Sequence, residues 1–399
     1  MNDGGSVPWV AYVGPFLFPW GEAGSRRVYG VTRSLVAAGY QVIVAGGDQT
    51  PSIETQLEEY ISIHQCSYLG LQERPSSRMS SFLRVKQVLW DWGKRTVRWL
   101  DAQKTPPKYV ILYGGNIQFA WRLLDWCHKR DVKLIGDVVE WYDPRHMVGG
   151  VLGPINIGDK LAFHRVYPRF DGIIAISSLL ENHFLAKGCK VIRVPPTIDI
   201  SKFKIEKPLK RDSGQIELVY TGTPGKKDLL SSIMAGVLQA NARCHENNKF
   251  VLNVLGPSAE QVRGMLDTEQ LPSCIRALGR VPQVDVAQHV QRADFSVLLR
   301  PPSRSSKAGF PTKFVESFAN GTPVVCNLTS DIGEYLQDGQ NGVICKDCSS
   351  GSFSASLQYI ASMPPSEREL MKKKARYCAE AEFSFEKFTG KIAEFLHSL

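Results

Sequence analysis

A lysine, a glutamate, a serine and an asparagine stand at Lys313, Glu316, Ser317 and Asn320. Spacings of three and four put them on one face if the stretch is helical. A lysine there can neutralise a phosphate. A carboxylate one turn deeper can accept hydrogen bonds from two adjacent hydroxyls, as a ribose offers. The same residues also fit an ordinary surface helix, whose Lys–Glu pair is worth about 0.2–0.5 kcal/mol. Their surroundings bear on the choice. An apolar run ends at Arg300, and a loop with Pro301, Pro302, Gly309 and Pro311 follows. Phe314, Val315 and Phe318 would pack the predicted helix on a sheet, and Gly321 would close it. The run TPVVC at 322–326 reads as a buried parallel strand. Strand, glycine-bearing loop, helix start and strand make a βαβ unit. In such units anionic ligands sit at strand carboxyl ends and on helix N-termini.

The rest of the chain supplies the framework for these residues. At 399 residues, with 43% apolar and 22% charged residues, the sequence fits two globular domains. It has no run of eighteen apolar residues, so no transmembrane helix is expected. No basic segment precedes the first apolar run, so no signal peptide is expected. Nine scattered cysteines, an odd number, argue for a reducing, cytoplasmic compartment. Cys345 and Cys348 form a lone CxxC without the second pair or nearby histidines that zinc would need. They read as a strand-end and a loop cysteine, and no metal site is expected. The net charge of +9 suggests a polyanionic partner: nucleic acid, an anionic membrane or a phosphorylated small molecule. No zinc-finger spacing, RNP-like motif or basic tail is present, so nucleic acid is not expected.

In chain order, WVAYVG at 9–14 is a strand, and Gly21 and Gly24 flank the turn into a helix over 25–38. The spacing is not GxGxxG, so no dinucleotide fingerprint is present. Arg26 and Arg27 at that helix start hint at an anionic partner. The stretch 77–108 places Phe82, Val85, Leu89, Trp92, Thr96 and Trp99 on one helical side, with Arg84, Lys94, Arg95 and Arg98 opposite. It fits a helix lying on an anionic membrane surface, or a packed helix with a solvated basic face. Gly93 weakens its continuity. A strand at 109–113 and a helix over 118–129 lead to a strand at 133–137. Glu140, Trp141, Tyr142, Asp143 and His146 follow at its carboxyl end, as a sugar-handling site would use. Asp143 also fits a simple cap before Pro144.

Strands at 171–177 and 191–196 precede a polar, basic, Pro-punctuated linker at 197–213. The rhythm then restarts, with a strand at 216–222, the loop TPGKKD carrying Thr223, Lys226 and Lys227, and a helix from 229 to 242. Repetition of strand, glycine loop and helix in each half predicts two doubly wound, Rossmann-like α/β domains with parallel sheets. The expected division is 1–198 and 199–385, with an amphipathic helix near 386–399 crossing back onto the first.

Several stretches together resemble the retaining nucleotide-sugar glycosyltransferases of family 4, which have the GT-B fold of two such domains facing across a cleft. They are PWGEAGSRRVYGVTRSLVAAGYQVIV, DGIIAISSLLENHFLAKGCKVIRVPPTID, YTGTPGKKDLL and, above all, the run from ADFSVLLRPPSRSSKAGFPTKFVESFANGTPVVCNLTSDIGEYL to QDGQNGVI. The resemblance implies that a nucleotide-sugar donor is held mostly by the second domain, with phosphates on Thr223, Lys226 and Lys227. It assigns the ribose to Glu316 and the border of the base to Arg280 and Val281. Gly21 and Gly24 fall in a loop near the diphosphate. There are departures. The arginine usual in the phosphate loop is replaced around Thr223. The first of two glutamates eight positions apart falls on Ala308, so the backbone of Gly309, Phe310 and Thr312 would have to serve the transferred sugar. A histidine common after the fourth strand is absent where Val139 and Glu140 stand.

The chemistry expected is departure of a nucleoside diphosphate, its charge stabilised by Lys226, Lys227, Lys313 and helix N-terminal amides. The resemblance implies attack on the face the leaving group vacates, without a metal and without a protein nucleophile. Glu140 and Asp143 would orient the acceptor or stabilise positive charge on the sugar. The expected function is hexosyl transfer from a UDP-sugar, with GDP as second choice, to a lipid-linked or polysaccharide acceptor, on the cytoplasmic membrane face. Transfer to a small soluble metabolite, and donor binding without turnover, are the alternatives.

Overall fold

The computed structural model describes the chain apart from residues 1–7, 20–22, 49–65, 75–79, 81–82, 84–85, 88–89, 148, 206–213, 223–226 and 245–248. The chain divides into two compact units. The first comprises Met1–Ile198, Ala308–Phe310 and Phe385–Leu399, and the second Asp199–Lys307 and Pro311–Ser384.

In the first unit, short β-branched and aromatic runs form seven strands: β1 (Trp9–Val13), β2 (Gln41–Gly46), β3 (Cys66–Gly70), β4 (Tyr109–Tyr113), β5 (Lys133–Val138), β6 (Gly172–Ala175) and β7 (Val191–Arg193). Their order is β3-β2-β1-β4-β5-β6-β7, and every pairing is parallel. Parallel sheets are covered on both faces, which is why β1 and β4 read as continuous apolar runs rather than alternating ones. The described helices are α1 (Ala23–Ala37), α2 (Lys94–Asp101), α3 (Ile117–Lys129), α4 (Pro154–Leu161) and α5 (Ser178–Leu185).

The second unit repeats the plan with β8 (Ile216–Thr221), β9 (Phe250–Leu255), β10 (Ile275–Gly279), β11 (Phe295–Leu298), β12 (Val324–Asn327) and β13 (Gly342–Cys345). Their order is β10-β9-β8-β11-β12-β13. Its helices are α6 (Leu230–Ala242), α7 (Ala259–Leu266), α8 (Gln283–Arg292), α9 (Arg304–Ala308), α10 (Thr312–Ala319), α11 (Ser350–Ser362) and α12 (Pro365–Phe383). The strand order reverses next to β8 and β11, the position at which doubly wound sheets open a ligand crevice. The last helix, α13 (Glu386–His397), places Phe388, Ile392, Phe395 and Leu396 in the core of the first unit. No helix among the described residues is long and apolar enough to cross a membrane.

Arg27 does not face a ligand. Its side chain is 1% exposed and pairs with Asp137 at 2.8 Å. It donates to the carbonyls of Val194 at 2.6 Å and Pro195 at 2.8 Å, while the Tyr12 hydroxyl donates to Asp137 at 2.5 Å. The cluster ties together α1, β1, the carboxyl end of β5 and the chain just after β7. Burial works against the Arg27 charge, and Asp137 more than offsets it.

The stretch 77–108 is not one continuous helix in its described part. Gly93 sits in the left-handed region at φ 85°, and α2 begins after it. The buried Glu73 carboxylate caps that start, accepting from Gly93 N at 3.0 Å and from Thr96 N at 2.8 Å. Trp92 donates to the Glu73 carbonyl at 2.6 Å, and Trp99 packs edge-on against Trp9. Lys94 is paired with Asp91. These tryptophans are therefore committed to packing the helix down. Phe82, Arg84, Val85 and Leu89 lie outside the described residues.

Candidate functional site

In the second unit, three adjacent strands end on glycines with positive φ: Gly222 at 112° after β8, Gly256 at 119° after β9 and Gly279 at 67°. Gly222 N donates to the Leu255 carbonyl at 2.9 Å, and Gly256 N to the Gly279 carbonyl at 2.8 Å. A β-carbon on Gly256 would stand 2.4 Å from the Gly222 carbonyl oxygen, and one on Gly222 would stand 2.7 Å from the Lys313 ammonium. Only glycine lets backbone and cation approach this closely in these conformations.

Around that edge lies a charge cluster. Asp228, whose side chain is 7% exposed, receives Lys313 Nζ at 2.5 Å and Arg300 Nε at 3.1 Å. The Tyr220 hydroxyl donates to it at 3.3 Å, and Lys313 lies 4.6 Å from the Tyr220 ring centre. Asn327 holds the Arg300 backbone from both sides, accepting from its N–H and donating to its carbonyl, each at 2.9 Å. Burial alone would raise the Asp228 carboxyl. The Lys313 ammonium and Arg300 guanidinium overcome this and hold it below the usual carboxylate range. Lys313 and Arg300 thus set two cations on one carboxylate beside the N-terminus of α10, with the Glu316 carboxylate a further charge felt by Lys313. No side chain among the described residues caps that terminus, where Pro311 occupies the N-cap. Preorganised positive charge in such a place stabilises an anion or a departing phosphate.

In the first unit, Glu140 lies half-buried after β5. Asp143 accepts from the backbone of Arg145 at 3.0 Å and pairs with its guanidinium at 2.6 Å, capping the turn Pro144–His146. Trp141 packs 4.5 Å from the Phe163 ring and 4.7 Å from His183. Asp159 on α4 joins the group. The Glu140 carboxylate, with Asp159 among other neighbours, holds the Tyr142 phenol above its ordinary range. Tyr167, also within reach of the Asp159 charge, donates to the carbonyls of Gly114 at 2.9 Å and Gly115 at 2.8 Å after β4.

Burial pushes the Asp159 carboxyl up to about 7. The folded state therefore binds its proton more tightly than the unfolded chain, where an aspartate titrates near 3.9. The sign follows directly: this group costs nothing below pH ~4, and its cost grows as pH rises to about 7. Asp159→Asn is expected to be about 2–4 kcal/mol more favourable, relative to wild type, at pH 8 than near pH 3.5. Urea unfolding at the two pH values measures this, and an equal difference at both would refute the burial account.

Residues 207–377 match the family model for glycosyl transferases group 1. This stretch contains the whole charge cluster. Over that stretch the chain is similar to the glycosyl transferases group 1. It is 21% identical over 243 residues to WcaL of Escherichia coli (strain K12), a protein named as a colanic acid biosynthesis glycosyltransferase. That match covers 59% of either protein, so this chain spans less than two thirds of that relative's length. It is 26% identical over 407 residues to the D-inositol 3-phosphate glycosyltransferase of Geodermatophilus obscurus, covering 92% of this chain and 83% of the relative. Among solved structures, Anabaena Alr3699/HepE in complex with UDP-glucose aligns over 98% of this chain and 100% of its own, with 14% identity and a TM-score of 0.68. The fold is GT-B: two Rossmann-like units with parallel sheets of seven and six strands.

Within the matched stretch, the structure brings Lys313 to the glycine-lined edge with Asp228 and Arg300, neither of which was singled out from sequence as a site residue. Both lie at signals that were present: Asp228 ends the basic loop and Arg300 ends the strand. Lys227 is half-buried beside Asp228, whereas Thr223 and Lys226 lie outside the described residues. Glu316 is half-buried one turn beyond Lys313. Ser317 and Asn320 do not share its exposed face. Both are buried, and Asn320 bonds the Glu316 carbonyl at 2.8 Å and Gln291 at 3.0 Å. Thr312 is half-buried, and Gly309 and Phe310 are buried. Arg280 is exposed after β10, and Val281 packs against a small cluster of Val219, Leu255, Val290 and Ala293. The Ala308 carbonyl accepts from Ser177 at 2.6 Å, and both residues group with the first unit. There too, Gly24 starts α1 so close to Tyr113 that a β-carbon would stand 2.9 Å from its hydroxyl, and Gly21 lies outside the described residues.

Proposed function

We propose that this protein is a nucleotide-sugar-dependent glycosyltransferase that transfers a hexose, with retention, to an acceptor in polysaccharide or lipid-linked glycan synthesis. The observation that carries the reading is the Asp228–Lys313–Arg300 cluster at glycine-terminated strand ends. Departure of a nucleoside diphosphate concentrates negative charge on its β-phosphate. Arg300 and Lys313, already aimed by one shared carboxylate, supply the counter-charge without reorganising, and Lys226, Lys227 and the α10 amides add to it. A UDP-sugar is favoured over a GDP-sugar, in keeping with the UDP-glucose complex of HepE. Side chains supply the charge that a divalent cation would otherwise bring. Glu140 and Asp159 orient acceptor hydroxyls, whereas Asp143 is already occupied by Arg145.

Glu316 is assigned to the ribose. Glu316→Ala is expected to weaken donor binding by about 1.5–3 kcal/mol, the worth of a charge-assisted hydrogen-bonded group. Calorimetric titration with the donor measures it. The donor is found with a thermal-shift panel of nucleoside diphosphates and nucleotide sugars. A ligand at 100 times its Kd stabilises by about 2.7 kcal/mol. No response to any member would overturn the nucleotide-sugar reading. A clear response with no transfer or donor hydrolysis would instead favour donor binding without turnover, for which Ala308 is the motive.

A further inference from the structure

Beside Glu140 and Asp159, the first unit exposes an aliphatic strip. Val151 is 54% exposed, Leu152 86%, Ile157 46% and Leu161 45%. The reason lies in α4. Its other side is committed to the fold: Asn156 is 3% exposed and donates to the Val151 carbonyl at 2.6 Å. A β-carbon on Gly158 would stand 3.3 Å from Ile117 of α3. Ile157, Lys160 and Leu161, spaced three and four apart, are left together on the outward face. A turn preceding α4, Gly150–Leu152, presents Val151 and Leu152.

Cations interleave with this strip. Lys160 and Arg165 are both exposed, and Asp159 is the only acid between 149 and 166. Trp121, one turn beyond Ile117 on α3, is 50% exposed and carries the Arg169 guanidinium 5.1 Å over its ring. Aliphatic side chains flanked by lysine, arginine and an amphipathic tryptophan match the water–bilayer boundary: the aliphatics enter the acyl layer and the long cationic chains reach back to headgroup phosphates. A second copy fits less well, because a two-fold contact sets the same patch against itself and brings like charges together.

The geometry points to Val151, Leu152, Ile157 and Leu161, with Lys160 and Arg165, as a surface that docks on an anionic phospholipid bilayer. Its purpose rests on the proposed transfer to a lipid-linked acceptor, since the segment between β5 and β6 carries both this surface and Glu140. The docking itself is read without donor or acceptor. The full chain is sedimented with vesicles of phosphatidylcholine alone, or with phosphatidylglycerol at one part in three, at low and high salt. Binding is expected to the anionic vesicles only, weakened by salt. Leu152→Asp with Ile157→Asp is expected to lower the bound fraction at least tenfold, and Lys160→Gln with Arg165→Gln several-fold. Thermal unfolding and nucleotide-induced shifts should not change, because these side chains are exposed. Vesicle binding with no nucleotide shift would sink the catalytic reading and leave this one standing. Failure of the wild type to bind, equal binding by the aspartate variant, or a dimer that this variant disperses would each overturn the inference.

Discussion

Replacing Asp228 with Ala is expected to destabilise the protein by about 3–5 kcal/mol, because it leaves two largely buried cations facing each other without the carboxylate between them. Asp228 is 7% exposed, Arg300 13% and Lys313 22% at the side chain, so water screens little of this. Removing one cation as well should recover part of the loss. Asp228→Ala with Lys313→Met is expected to be more stable than the sum of the single effects, by a coupling of about 1–3 kcal/mol. Urea unfolding of the four proteins gives the cycle, and strict additivity would show that the pair does not interact. The pH dependence carries a second signature. The Asp228 carboxyl is held below its usual range, so the unfolded chain binds a proton more readily than the native state. The stabilisation is present above the unfolded value near pH ~3.9 and is lost as pH falls through the lower folded value. Asp228→Asn should therefore flatten the acid limb of stability. The same variant should bind a nucleoside diphosphate more weakly if Asp228 aims the cations, and unchanged affinity would reduce it to a structural role.

The second large effect is expected in the first unit. Asp137→Ala strands the Arg27 guanidinium in a fully buried position, and Arg27→Ala strands the Asp137 carboxylate together with the carbonyls of Val194 and Pro195. Each is expected to cost about 3–5 kcal/mol, a large share of a typical domain's 5–15 kcal/mol. Arg27→Lys should not rescue. An ammonium has no planar fork with which to meet two carboxylate oxygens and two carbonyls at once. The soluble yield and urea midpoint of the three variants test this, and near-native stability of Arg27→Lys would show that charge alone suffices. The expected damage is to folding rather than to donor recognition, because this cluster lies inside the first unit's sheet.

These two clusters mark how far residue order carries. Strands such as β1, β4 and β8, and helices such as α3 and α6, were legible because parallel strands buried on both faces are continuous β-branched runs and helices carry a 3.6-residue period. The glycine after β8 and the helix closed by Gly321 were legible for the same local reason. Strand β3 and the helical stretch from α4 to 169 were not. Strand β3 carries few apolar residues, and the helical stretch mixes exposed Ile157 and Leu161 with buried Phe163, Val166 and Tyr167, so packing rather than a clean period defines them.

Residue order alone specifies the α/β class, the repeated strand–glycine–helix rhythm and the helix that carries Lys313 and Glu316, since each depends on contacts within a few residues. Which charges meet depends on how distant segments pack. Arg27 and Asp137 are 110 positions apart, and Lys313 and Asp228 are 85 apart. Nothing local distinguishes a lysine that reaches solvent from one that a distant carboxylate holds. The same applies to Asp159. Its shift to about 7 comes from burial alone, and burial is a property of what packs around a residue.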